Sequence, residues 1–252
     1  MQLTFDQKKQ LLEDGYVKVP GVVPKIMVQE AMKAINYAIG QGIPAERGGL
    51  RPYQKLESQE VISNLINKTP AKDLLDSLLG EGMYHEINYG QVEPRFPEYV
   101  ENPPQDHGAH IDGVLHLHEG TLDNFTALFG IILSDQTEPN RGNFTVYPGT
   151  HRAYADYFQE HGPEVLFQEE AFQTLKRSPN VPLPEPVQIV GEPGDLIITH
   201  YQLVHAGGTN SSDKIRYSCY YRIDHKDRKE NWQTPLVDLW HHWSGMQSFS
   251  IG

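Results

Sequence analysis

Glu192-Pro193-Gly194-Asp195-Leu196-Ile197-Ile198-Thr199-His200 is a tight turn feeding a short apolar run. Pro-Gly and Gly-Asp punctuate the backbone, and Leu-Ile-Ile-Thr is the β-rich composition of a buried strand. Downstream stands His205, and 216 − 205 = 11 residues beyond it Arg216, in Ile215-Arg216-Tyr217-Ser218-Cys219-Tyr220-Tyr221. A buried strand followed so soon by these polar residues reads as one that ends near a ligand.

Working outward, residues 85–92, 109–117, 126–133, 143–147, 187–189, 195–200 and 215–223 read as strands, several separated by Pro-Gly, Gly-Gly or Asn-Arg-Gly turn signals. Many short strands without alternating helices favour a sandwich or barrel over a parallel sheet. The first 80 residues are mostly helical. Thr4 and Gln7 form a capping box for a helix to about Glu13, before a short strand from Tyr16 to Val19. Pro24 opens a helix reaching Gly40, and Thr69-Pro70 another that Gly80 stops. The expectation is one domain over 1–252, with a helical part at 1–80, a β core at 81–225 interrupted by an insertion at 152–186, and a tail at 226–252.

With 252 residues, 38% hydrophobic and 21% charged, the composition is that of a globular protein. A net charge of −12 argues against a nucleic-acid partner and against anionic membranes. The single cysteine, Cys219, rules out an intrachain disulfide framework, and no apolar run is long enough to cross a bilayer. No secretory signal is evident at the start, so the expected setting is the cytoplasm. A small-molecule substrate fits this chemistry; the oligomeric state is unknown from the sequence.

His110 and Asp112 form an H-x-D pair. Residues two apart on a strand share a face, so both can reach one metal ion. A distant histidine, His205, completes a 2-His-1-carboxylate triad, a donor set that suits non-heme Fe(II) and leaves positions open. Rivals exist among twelve histidines. His116 and His118 share strand parity with the pair unless Gly113 bends the chain, and they read as pocket lining or a solvated hairpin. His200 competes with His205, but as a strand-end residue it reads as a hydrogen-bond partner or a core histidine. His107, His151, His225, His241 and His242 default to surface or packing roles. Arg216 supplies a guanidinium fork for a carboxylate, with Ser218 on the same face and Arg222 as the weaker alternative. Tyr89 and Gln91, at alternating positions on the preceding strand, are candidates to line a cosubstrate pocket. Their other reading is plain barrel interior.

Together these segments resemble the phytanoyl-CoA dioxygenase family of Fe(II)- and 2-oxoglutarate-dependent oxygenases. The resemblance is carried by the opening helix and Asp14-Gly15-Tyr16, by His110-Ile111-Asp112, by Gly142-Asn-Phe-Thr-Val-Tyr-Pro-Gly-Thr-His151, and by Pro193-Gly-Asp through His205-Ala-Gly-Gly-Thr-Asn210 to Arg216. It implies a mainly β double-stranded β-helix, a jelly roll or cupin-like barrel, with flanking α-helices. It also implies His110, Asp112 and His205 as iron ligands, Arg216 on the distal carboxylate of 2-oxoglutarate, and Ser218 completing an Arg-x-Ser habit. Fe(II), 2-oxoglutarate and O2 are then the expected cofactor and cosubstrates. Ala109 departs from the bulky aromatic often found before the H-x-D pair, and Gly207 from a serine in some members. Halogenating relatives replace the metal carboxylate with a small residue, so Asp112 points to a hydroxylase.

Substrate choice is expected from 42–52, 113–124, the 152–186 insertion and the tail carrying Trp232, Trp240 and Trp243, although the tryptophans also suit core packing. The rival from another class is a cupin-like metalloprotein, a hydrolase or isomerase that does not use 2-oxoglutarate. A third reading, a binding module, predicts no metal dependence.

Overall fold

The computed structural model describes residues 1–42, 51–98, 108–112, 117–118, 121–122, 124–167, 181–247 and 249. In chain order the elements are α1 (Phe5–Asp14), β1 (Tyr16–Val19), α2 (Lys25–Gly40), α3 (Glu60–Asn67), α4 (Pro70–Leu79), β2 (Gln91–Arg95), β3 (Leu117–His118), β4 (Thr121–Leu122), β5 (Ala127–Ile132), β6 (Phe144–Val146), α5 (Thr150–His161), β7 (Val187–Gln188), β8 (Leu196–His200), β9 (His205–Gly207), β10 (Arg216–Ile223), α6 (Thr234–Val237) and α7 (Ser244–Gln247). Short 3-10 turns cover Pro52–Leu56 and Pro163–Phe167.

Five strands make an antiparallel sheet in the order β1-β8-β5-β10-β2, and three more make a second sheet, β7-β6-β9. This is the jelly roll with flanking helices that the strand pattern and the resemblance predict. The large sheet is covered on both faces, and its sequences record that. In β5, Ala127, Phe129 and Ile131 join a core shared with the helices, while Leu128 and Ile132 join a second core. That second core reaches the small sheet through Phe144 and Val146. β8 divides in the same way, with Leu196 and Ile198 on one side and Ile197 on the other. A strand buried on both faces reads as a continuous apolar run rather than an alternating one.

β10 behaves differently. Tyr217, Cys219, Tyr221 and Ile223 enter the helix-side core, so Arg216, Ser218, Tyr220 and Arg222 turn the other way, into the barrel. That face is where chemistry can be built.

Local signals explain much of the scaffold. The Thr4 and Gln7 capping box is formed, and α1 ends at Gly15 with φ 80°. Thr69 caps α4, with Pro70 in its first turn. The turn before β8 is held by the Asp195 carboxylate, which accepts from Glu192 N–H at 3.0 Å and Gly21 N–H at 2.9 Å.

Two strand expectations need correction. Residues 85–90 form no strand; pairing begins only at Gln91 and runs to Arg95, through Pro94, which lies on an edge strand as proline must. Residues 109–112 form no strand, and His110 makes a single antiparallel bridge to His205; 113–116 lie outside the described residues, and Leu117 belongs to β3. β9 and α3 were not anticipated, although Ile62, Leu65 and Ile66 give α3 an apolar face. Among the sites expected to select substrate, 43–50, 113–116, 119–120, 123 and 168–180 lie outside the described residues, as do His107 and His116. Trp240 and Trp243 are buried in the helix-side core, and Trp232 packs against the second one.

Candidate metal centre

His110, Asp112 and His205 converge. One ligand atom from each lies within 4.8 Å of the others. His110 Nε2 is 3.3 Å from Asp112 Oδ1, and His205 Nε2 is 3.8 Å from Asp112 Oδ2. The pair does not reach this point by regular strand pleating. His110 is pinned by reciprocal backbone hydrogen bonds with His205, at 3.0 and 2.9 Å, and Asp112 lies in the bend that follows. Ile111 between them is buried in the second core, which turns both polar neighbours toward the cavity.

Both imidazoles are oriented by the same device. His110 Nδ1 is 2.6 Å from the Gly108 carbonyl, and His205 Nδ1 is 3.0 Å from the Leu203 carbonyl. Each Nδ1 therefore donates to its carbonyl, which turns the Nε2 side of both rings toward Asp112. Burial lowers the His205 pKa to about 4, so its ring is neutral and ready to ligate near pH 7. The hydrogen bond to Asp112 outweighs burial at His110 and raises its pKa. At Asp112 burial pulls upward, but His110, His205 and Arg222 together hold its carboxyl below the usual range. Two imidazole nitrogens and one carboxylate in this array fit a divalent transition metal.

The triad opens into a cavity of about 280 Å³ that Arg216, Arg222, Gln91 and Tyr220 also line. Arg216 is buried, donates from Nη1 to the Glu93 carbonyl at 2.9 Å, and keeps a buried Nε without a partner. Arg222 is not an equivalent second cation. Its Nε and Nη2 donate to Asp112, and its Nη1 donates to Gln91. The Tyr220 ring packs against Gly130, beside Phe144.

Two expected lining residues sit elsewhere. Tyr89 precedes β2, is half exposed, and donates its hydroxyl to Glu57 at 2.6 Å in a separate cleft. The strand that would have turned it inward starts two residues later. Ser218 is buried on the correct face, but its hydroxyl accepts from Gln136 Nε2 at 3.2 Å, and it is not part of the cavity wall. His200 is a satisfied core histidine. Its Nε2 donates to the Leu239 carbonyl, its Nδ1 accepts from Gln202 N–H, and Trp240 and Trp243 pack around it. His151 is likewise buried, and His225 stacks on His242 with centroids 4.4 Å apart. Arg95, which sequence reasoning passed over, also lines the cavity. Its signal was available, because it shares strand parity with Gln91.

A jelly roll with this triad is the architecture of a mononuclear non-heme metal enzyme. The match to the model of the phytanoyl-CoA dioxygenase (PhyH) family covers residues 11–218, and the chain belongs to that family. It is thereby an oxygenase of the non-heme iron, 2-oxoglutarate-dependent class. No curated protein matches the sequence. Among solved structures, the alpha-ketoglutarate-dependent carbocyclase SnoK from nogalamycin biosynthesis is 18% identical. The alignment covers 88% of this chain and 83% of that one at a TM-score of 0.55. HygX from Streptomyces hygroscopicus, solved with nickel and 2-oxoglutarate, is 16% identical over 89% and 88% at 0.51. The non-heme monooxygenase ThoJ, in its apo form, is 17% identical over 87% and 77% at 0.56. At these identities the likeness is one of fold. No helix among the described residues is long and apolar enough to cross a membrane.

Proposed function

We propose that this protein is an Fe(II)- and 2-oxoglutarate-dependent dioxygenase that hydroxylates an unactivated C–H bond of a small-molecule metabolite. One observation carries the reading: a 2-His-1-carboxylate triad and a buried guanidinium whose Nε has no partner line a common cavity. His110, Asp112 and His205 would hold the metal, and Arg216 would pair with the far carboxylate of 2-oxoglutarate. When bound, the iron supplies the O2-dependent chemistry that converts 2-oxoglutarate to succinate and CO2 and oxidises the substrate.

The protein's own part is positional. The Nδ1 hydrogen bonds fix which nitrogen each histidine offers. Arg222 engages one oxygen of Asp112 and leaves Oδ1 toward His110. With a carboxylate at position 112, a chloride has no vacant ligand place, which favours oxygen transfer over halogenation. Phe144 and Leu128 give the cavity apolar wall near the triad, which limits the water that could compete for the site.

Anaerobic addition of Fe(II) and 2-oxoglutarate should produce the visible metal-to-ligand charge-transfer band. His205→Ala should abolish it. Succinate formation across a metabolite panel would then identify the substrate, and product analysis the reaction outcome. A wild-type protein that binds iron but gives no band at saturating 2-oxoglutarate would support the cupin-like metalloprotein instead.

A further inference from the structure

Arg95 and Arg216 are Cα partners across β2 and β10. Side chains of directly opposed antiparallel residues leave the sheet on one face, and like charges so placed destabilise it. Both line the cavity. They meet over Gly142, where an added Cβ would lie 3.2 Å from Arg216 Nε and 3.2 Å from Arg95 Cγ. Gly207 admits the Arg95 head on another side, since a Cβ there would lie 3.1 Å from Nη1.

The protein does little to neutralise this pair. Glu93 also lines the cavity, but among the described residues the one carboxylate within 4.0 Å of either guanidinium is Glu98, at 4.0 Å from Arg95 Nε and beyond hydrogen-bond reach. The Nε atoms of both arginines are buried and have no partner. Buried donors are rarely left unpaired, and two on opposed arginines that line one cavity call for an acceptor from outside. Two guanidiniums match a carboxylate better than any other common anion-bearing group of a small 2-oxo acid.

We propose that Arg95 joins Arg216 in a two-guanidinium clamp on the far carboxylate of the cosubstrate, which makes the site selective for a dicarboxylic 2-oxo acid. The inference rests on the dioxygenase reading and adds Arg95 to it. A monocarboxylic 2-oxo acid would still present its 2-oxo carboxylate to the metal but would leave both arginines unpaired.

The test is an anaerobic titration of the charge-transfer band with 2-oxoglutarate and with 2-oxobutyrate, which lacks the far carboxylate. Hydrogen bonds to charged groups set the scale. Arg95→Gln should weaken 2-oxoglutarate binding by about 10- to 100-fold and leave 2-oxobutyrate binding unchanged. Damage to the fold would weaken both acids alike, and that result, or wild-type affinity for 2-oxoglutarate, would overturn the clamp. Should Arg95→Gln not fold, Arg95→Lys carries the same test: charge without the fork should lose about 3- to 10-fold, for 2-oxoglutarate alone. Absence of any band in the wild type with either acid would remove the dioxygenase reading itself. A wild-type band with no selective effect at Arg95 would remove only the clamp.

Discussion

Arg222 gives two of its donors to a single oxygen of Asp112: Nε at 3.1 Å and Nη2 at 2.9 Å, both to Oδ2. Its Nη1 reaches Gln91 Oε1 at 2.7 Å. A bonded carboxylate cannot rotate freely, so Oδ1 stays on the side of His110. Two effects oppose each other if Arg222 is removed. A nearby cation disappears, which favours a bound metal ion, and the orientation of Asp112 is lost, which disfavours it. The guanidinium side chain is 42% exposed, so solvent screens its charge and orientation should win. Arg222→Met should therefore weaken divalent-metal affinity by about 10-fold, the lower end for loss of an outer partner. Anaerobic calorimetric titration with Fe(II) checks this. An unchanged or tighter affinity would show that charge outweighs orientation.

Gly130 leaves room for the ring of Tyr220, which lines the cavity. A Cβ there would meet the Tyr220 ring at 2.9 Å, and the ring already leans on Phe144 with centroids 5.4 Å apart. Gly130→Val should push Tyr220 into the space beside Arg216 and His205. The expected result is weaker 2-oxoglutarate binding together with about 1–3 kcal/mol of overpacking strain. A charge-transfer titration and a urea melt separate the two effects.

Buried histidines make stability depend on pH. Burial lowers His200 to about 3 and His151 to about 4, against an ordinary value of 6.5. Both are neutral in the folded state, and the unfolded chain takes up their protons first. Their contribution is complete above pH 6.5 and is lost as pH falls toward 4 and 3. Each buried imidazole costs up to about 1.4 kcal/mol per pH unit in that window. His200→Gln should flatten the slope of unfolding free energy between pH 6 and 4. An identical slope in the variant would assign the acid sensitivity to other groups.

Gly194 has φ 100°, and a Cβ there would lie 2.5 Å from the Val23 carbonyl oxygen. Gly194→Ala combines a disfavoured backbone region with a backbone clash, so about 2–4 kcal/mol should be lost. Urea unfolding followed by circular dichroism measures it. A loss below 1 kcal/mol would mean that the turn relaxes without disturbing β8.

Sequence alone carried β1, β5, β8 and β10 of the large sheet well, because each announces itself within eight residues. The caps of α1 and α4, the turn at 193–195 and the alternation of β10 are equally local. Residue types named the metal chemistry, since two imidazoles and one carboxylate suit few other partners. The tracts at 85–90 and 109–112 were less legible. Their β-like composition is real, yet neither finds a continuous partner strand, and composition does not reveal pairing.

What only tertiary structure decided is which distant groups face one another. His205 and His200 are five residues apart, but one bridges to His110 while the other is walled in by Trp240 and Trp243. Arg222 lies on Asp112 across 110 residues of chain, and Tyr89 turns out to Glu57. Arg95 and Arg216 meet across 216 − 95 = 121 residues, through a register set by the whole sheet. The physical reason is range. Turn chemistry and side-chain alternation act over a few residues, whereas cross-strand register emerges only when both cores have packed and every buried backbone group has found its partner.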